Sequence, residues 1–360
     1  VRRVRALGAG PVLSGLILFG AAAFCVAAAL TGCGGQTPAD TQTTPSGPPP
    51  AAAPGILAWA VGEEGNVLGT RDGGAQWTRR PFFLHENGID VDFSDAATGW
   101  LATDAGTVLR SADGGRRWKV AKVFTLQVKA LAAGDADHAW VVCNATGAAG
   151  EPTGAFVFRT SDSGATWERT SFGEAQLADV SFADARHGVL VALDRIWTTR
   201  DGGETWARRR QVPMTVLERA AAGDARHAWV AGWGTQKGEC LVFATADGGR
   251  TWARRKLEAP GATGDVQTRG ITCSGPDSVW VTIQSGAFAS SDGGRTWELQ
   301  QVGPEPLAIA AADSEHLVAT AATAVPVRVS GDGGATWRSA AVTPKRPLVA
   351  ADAVAAPSPE

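Results

Sequence analysis

Four histidines are the first residues here that could do chemistry as a set. His138, His187, His227 and His316 each close an Asp-x-x-His segment, and an imidazole oriented by a carboxylate suits a general base or a metal ligand. A catalytic or metal-binding histidine rarely recurs in four separated segments, so these are expected to tie turns. His85 is unrepeated and reads as a solvated loop residue. Glycoside hydrolysis needs two carboxylates about 5–9 Å apart; Glu63, Glu64, Asp104 and Asp194 fall in loops of one face, but spacing singles out no pair. There is no Tyr among the 360 residues, which removes every mechanism that needs a phenol. Cys143, Cys240 and Cys273 share no metal-finger spacing, and neither a metal nor a cofactor is expected. Cys240 and Cys273 fall in neighbouring repeats, where a disulfide could form in an oxidising compartment.

The elements that must position these residues announce themselves as a repeat. The segment Thr70-Arg-Asp72-Gly-Gly74-Ala-Gln-Trp77 returns as Ser111 to Trp118 around Asp113 and as Thr160 to Trp167 around Asp162. Further copies pair Asp201 with Trp206, Asp247 with Trp252, Asp292 with Trp297, and Asp332 with Trp337. These are Asp-boxes, Ser/Thr-x-Asp-x-Gly-x-x-Trp, the bacterial neuraminidase repeat. Asp accepts hydrogen bonds from its own turn, Gly supplies a positive φ, and Trp pins the hairpin from the far side. Their spacing of 39 to 49 residues suits one four-stranded blade per copy. The expected fold is an all-β, seven-bladed β-propeller over 55–354, with each box in the hairpin joining the third and fourth strands. In the second unit the strands are expected at Gly88–Ser94, Thr98–Thr103, Val108–Ser111 and Arg117–Val123. The first unit lacks its inner strand, and Leu348–Ala351 is expected to close the ring by supplying it.

Recurrence then separates architecture from function. Trp59, Trp100, Trp140, Trp229 and Trp280 share one second-strand position, filled by Val189 and Val318 in the other two copies. Trp197 matches Leu68, Leu109, Phe158, Phe243 and Phe288. Of the 14 Trp, only Trp233 is off-pattern, in a loop of the face opposite the boxes. It reads either as an anchor for a protein or sugar ring or as packing beneath its own loop. The longest loops of that face are expected at Asn144–Gly154, Gly232–Cys240 and Leu257–Asp265. Basic residues gather after the box Trp: Arg79 and Arg80, Arg208 to Arg210, Arg254, Arg255 and Lys256, with Lys345 and Arg346 before the closing strand. They are expected at the end of the fourth strand, where they either guard sheet edges or bind a partner.

The ends of the chain differ from its middle. Val1–Arg5 is basic, Ala6–Leu30 is apolar, and Leu30-Thr31-Gly32-Cys33 follows. This resembles a bacterial lipoprotein signal, which implies a signal peptide at 1–32 and a lipid on Cys33. An uncleaved membrane helix is the other reading; both put most of the chain outside the cytoplasm, in the cell envelope. Residues 33–54, rich in Pro, Thr and Ala, read as a tether, and 355–360 as a frayed tail. Beyond residue 32 the chain holds 30 basic and 36 acidic residues, so no nucleic-acid partner is expected.

The boxes, with the segments AWAVGEEGNVLGTRDGGAQW, GWLATDAGTVLRSADGGRRW and VWVTIQSGAFASSDGGRTW, are similar to the photosystem II stability/assembly factor family. That resemblance implies an exported, non-enzymatic propeller that helps assemble membrane protein complexes. It also implies arginines as partner contacts, for which Arg208, Arg209, Arg254 and Arg255 are the candidates. Other Asp-box propellers are sialidases and glycosidases. A sialidase needs a Tyr nucleophile and an Arg-Ile-Pro segment near the first blade, and xyloglucan-cleaving relatives use two facing propellers. The expectation is therefore a membrane-tethered interaction propeller whose partners are membrane proteins, with a glycan- or peptide-binding module as the alternative.

Overall fold

The computed structural model describes residues 56–80, 84–145, 147, 154–212, 215–234, 238–258, 266–303, 305–321, 327–340 and 348–355. The expected lipid site Cys33, the tether, and Lys345 and Arg346 lie outside the described residues. Blade 1 opens with β1 (Ile56–Gly62), β2 (Val67–Thr70) and β3 (Thr78–Arg79). Blade 2 holds β4 (Gly88–Phe93), β5 (Gly99–Thr103), β6 (Thr107–Ser111) and β7 (Lys119–Val123), within two residues of expectation at each end. Blade 3 holds β8 (Gln127–Ala133), β9 (Ala139–Asn144), β10 (Ala155–Thr160) and β11 (Glu168–Ser171). Blade 4 follows with β12 (Leu177–Phe182), β13 (Gly188–Ala192), β14 (Arg195–Thr199) and β15 (Ala207–Gln211). Blade 5 holds β16 (Val216–Ala222), β17 (Ala228–Trp233), β18 (Glu239–Thr245) and β19 (Ala253–Glu258). Blade 6 comprises β20 (Thr268–Ser274), β21 (Ser278–Ile283), β22 (Gly286–Ser290) and β23 (Glu298–Gln300). Blade 7 comprises β24 (Pro306–Ala311), β25 (Leu317–Ala321), β26 (Val327–Ser330) and β27 (Arg338–Ser339).

The last strand, β28 (Leu348–Ala355), returns to blade 1 and pairs antiparallel with β1, from Leu348 opposite Gly62 to Ala355 opposite Ile56. Seven sheets of four strands result, and the ring is closed as expected, although β28 runs four residues past Ala351. Second strands such as β5 and β13 are buried along their whole length because both faces pack on neighbouring blades. The core is accordingly a set of clusters between blades. One of them joins Trp140 and Val142 of blade 3 to Val180, Phe182 and Leu190 of blade 4.

Each box is built by its own side chains. In the first, the Thr70 hydroxyl donates to Asp72 Oδ1 at 2.7 Å and accepts the Gly74 N–H at 3.0 Å, while the Gln76 N–H donates to Asp72 Oδ1 at 2.9 Å. The second-strand Trp then reaches into the box of the next blade. Trp59 Nε1 donates to the Gly114 carbonyl, Trp140 to Gly202, Trp229 to Gly293 and Trp280 to Gly333, at 2.8–3.2 Å. The second box glycine lies beneath that ring. A Cβ on Gly115, whose φ is +72°, would sit 2.9 Å from Trp59 Nε1. Thus the box secures its hairpin and also receives the preceding blade. The second-strand Trp residues are 0–3% exposed, whereas Trp77, Trp167, Trp206, Trp297 and Trp337 of the boxes are half-buried.

Candidate functional site

The seven inner strands surround a channel of about 210 Å³. Every one of them carries a register shift near its start. The extra residues are Ile89, Lys129, Ala178, Glu218, Arg269, Leu307 and Val349, one per blade. A bulge re-aims the side chains around it and raises local twist. Here it sets the next inner-strand residues, Asp90, Asp179 and Arg219 among them, against the adjoining blade.

These side chains stitch blade to blade. Asp352 Oδ2 accepts the Phe93 N–H at 2.8 Å, Asp90 Oδ2 the Leu131 N–H at 2.8 Å, and Asp92 Oδ2 the Ala133 N–H at 2.7 Å. Asp179 Oδ2 accepts the Ala220 N–H at 2.9 Å, and Glu218 Oε2 accepts the Thr268 N–H at 2.9 Å. Ser181 and Thr272 do the same with their hydroxyls. Arg219 Nε donates to the Arg269 carbonyl at 3.0 Å. Gathering carboxylates in a narrow, partly buried channel disfavours their charged forms. Burial, with Asp179 nearby, pushes Asp90 up to about 8, and burial lifts Asp179 to about 6. Burial also raises Asp352, with Asp92 as its like-charged neighbour. Sequence reasoning missed this network. Its signal is an Asp at inner-strand positions that the other blades fill with Ala, Gly, Ser or Thr, or in blade 5 with Arg219.

The expected site residues are distributed more widely. All four histidines bond the Asp of their own turn through Nδ1, at 2.8 Å in His138–Asp135 and 2.9 Å in His316–Asp313. Partial burial opposes ionisation of Asp135, but His138 and two backbone N–H groups hold its carboxyl below the usual range. Asn87 bridges two loops by accepting the Glu64 N–H and donating to Asp104, whereas Asp194 bonds Gln211 in blade 4. Glu64 and Asp104 therefore share one patch that Asp194 does not enter. Cys240 and Cys273 are free thiols, and the structure holds no disulfide between them. Cys240 is wholly buried and Cys273 packs against the same core cluster, and burial pushes both thiols up to about 12. Trp233 ends β17 half-buried, paired with Val216 and Cys240. Its indole lies beside Glu218, whose carboxyl burial raises. The Gly232–Cys240 loop shrinks accordingly, because β17 continues through Trp233 and β18 begins at Glu239.

The basic residues occupy the outer rim. Arg208 and Arg209 stand in the half of β15 nearer the box, not at its far end. Arg209 Nε donates to Thr198 Oγ1 at 2.8 Å and Arg80 Nη1 to the Gly114 carbonyl at 2.9 Å, so both serve the fold. Arg255 bonds the Arg254 carbonyl, and Arg254 lies 3.7 Å from Glu239. Register places Arg79 opposite Leu68, Arg169 opposite Phe158, Arg208 opposite Trp197 and Arg254 opposite Phe243. These four arginines hold one position, two residues after the box Trp. They recur as the histidines do, and a charge at an outer strand discourages sheet pairing.

Fold and side-chain network define a seven-bladed Asp-box propeller with a charge-stitched channel. The model of the photosynthesis system II assembly factor YCF48 family matches residues 82–175 and 171–304, more than half of the chain. This chain belongs to that family. Two solved relatives are YCF48 with a bound D1 peptide (16% identity, TM-score 0.53, covering 71% of this chain and 81% of that one) and YCF48 from Cyanidioschyzon merolae (19%, 0.57, 76% and 90%). The GH74 xyloglucanase of Xanthomonas campestris is similar in fold at 15% identity and TM-score 0.58, covering 84% of this chain and 54% of the enzyme. No curated protein sequence matches the chain.

Proposed function

We propose that this chain is a non-catalytic docking propeller that binds an extended segment of a membrane protein and supports assembly or stability of a membrane complex. A lipid on Cys33 holds it at the extracytoplasmic side of a bacterial membrane. The family match over 82–304 carries this reading, and the D1 peptide on a YCF48 relative supports a peptide as the ligand class. The channel chemistry agrees. Asp90, Asp92, Asp179 and Asp352 each hold a backbone N–H of a neighbouring blade, whereas a glycosidase needs carboxylates free to meet water and sugar. The half-exposed Trp233 beside Glu218 favours a second reading, a glycan or peptide ring stacked at the loop face.

Affinity capture of the full chain from gently solubilised native membranes, followed by mass spectrometry, tests the first reading. Recovery of one membrane protein is the expected result. Recovery of none, with retention of the chain on an immobilised glycan that Trp233→Ala abolishes, would replace it with the second. Metabolic labelling with palmitate, lost in Cys33→Ala, tests the anchor.

A further inference from the structure

Each outer strand of a propeller is an open sheet edge with a row of unpaired N–H and C=O groups. Four blades place an arginine at the same point of that edge. Blade 2 has Val120 there, opposite Leu109. Blade 6 has Leu299, half-buried against the core, and blade 7 has Ser339. Val120 is 43% exposed and Val123, on the same strand, 60%. The other exposed large apolar side chains among the described residues are Leu193 and Val349, on different blades.

The register of β7 sorts its side chains. Val120 and Val123 stand opposite Leu109 and Thr107, and Leu109 packs toward blade 1. Lys119 and Lys122 stand opposite Arg110 and Val108, which face blade 3. A register shift at Ala121 keeps each pair on its own side. One face of the edge is therefore apolar and the other cationic. Arg116–Val123 carries four cations and no acid. Arg117 is paired with Asp113 at 2.8 Å, while Arg116, Lys119 and Lys122 have no ion-pair partner among the described residues.

We propose that β7 accepts a fifth strand, an extended segment of a partner protein whose alternate side chains are apolar against Val120 and Val123 and acidic against Lys119 and Lys122. Main-chain hydrogen bonds supply affinity in such strand addition, and alternating side chains supply selectivity. A second copy of β7 would face the edge with its own lysines, so an acidic segment is the complementary occupant. This assignment rests on the peptide-docking reading and gives it a location and a ligand class.

The probe is a short fluorescent peptide of alternating Val and Glu, with a Val–Lys peptide as control. The expected result is binding of the acidic peptide alone, with slowed amide hydrogen exchange in β7. Val120→Arg restores the residue four other blades carry, so it should melt like the parent while binding roughly ten-fold or more weakly. Lys119→Glu with Lys122→Glu should reverse the peptide preference. Absence of binding, protection elsewhere on the ring with β7 unchanged, or equal binding by Val120→Arg would overturn the assignment. So would concentration-dependent dimerisation that Val120→Arg abolishes, because the occupant would then be a second copy. Membrane capture separates the two claims. A protein captured equally by parent and Val120→Arg defeats the edge site and leaves docking standing. Peptide binding at β7 with nothing captured from membranes does the reverse.

Discussion

Replacing Trp140 by Ala should be among the costliest single changes in the ring, and the structure says why a box Trp is not its equal. Trp140 is 1% exposed, stacks on Phe182 with ring centroids 3.4 Å apart, and donates to the Gly202 carbonyl at 2.8 Å. Truncating a buried aromatic costs about 3–5 kcal/mol through lost transfer and the cavity left behind. Losing the donor to a buried carbonyl adds ~1 kcal/mol, for a total of about 4–6 kcal/mol. Trp167 of the third box, half-buried at a hairpin tip, should lose roughly half of that on the same change. For a domain of this size each kcal/mol moves the melting temperature by ~2 °C, so Trp140→Ala should melt about 8–12 °C low. Urea titrations of both variants and of Trp140→Phe, read by far-UV dichroism, provide the comparison. Equal losses for Trp140→Ala and Trp167→Ala, or a loss below about 2 kcal/mol for the former, would refute the picture of second-strand Trp residues as bolts between blades.

Three further outcomes can be checked alongside. Asp90 and Asp179 have folded pKa values near 8 and 6 against about 4 in an unfolded chain, so the native ring binds more protons than the unfolded chain between those limits. Their contribution to stability is complete below pH ~4 and is lost as pH rises through 6 and 8. Melting temperature should therefore fall from pH 5 to pH 8, and Asp90→Asn should flatten the slope. Gly115→Ala, which combines a strained φ with a Cβ against Trp59, should cost about 2–3 kcal/mol in the same titrations. Ending the chain before Leu348 removes the strand that closes blade 1 and exposes β1, so size-exclusion chromatography should show aggregation in place of a monomer peak.

The fold was legible because its decisive signal is local. An Asp-box builds itself from side chains within eight residues, so the sequence alone locates seven hairpins, and their spacing leaves room for one blade each. Ring closure was legible for a related reason, since the first unit lacks its inner strand and Leu348–Ala351 has no blade of its own. The inner-strand bulges were not. A bulge belongs to the pairing of two strands, and the bulged residues are Ile, Lys, Ala, Glu, Arg, Leu and Val, with no shared chemistry to mark them. The acids that stitch the channel were hidden with them, because without the shift Asp90 and Asp179 fall into an ordinary alternating pattern. Recurrence also reports position and not depth. It treats all box Trp residues alike, although Trp118 and Trp252 are buried in core clusters while the other five are only half-buried.

One signal was present in the letters but becomes a pattern only once strand register is known. Arginine two residues after the box Trp occurs at Arg79, Arg169, Arg208 and Arg254, yet the basic residues there look like charge clusters until register aligns them. Once aligned, they change the meaning of their neighbours. A position that four blades protect and blade 2 leaves apolar is informative because the other blades define the cost of leaving it so: an open edge invites pairing. The functional content of a repeat protein is thus carried by departures from its own pattern. Blade 2 departs at Val120 and Val123 while keeping its Asp-box, its Trp100 and its inner-strand bulge intact. The scaffold demands nothing of that edge, and a partner strand supplies the reason for its chemistry.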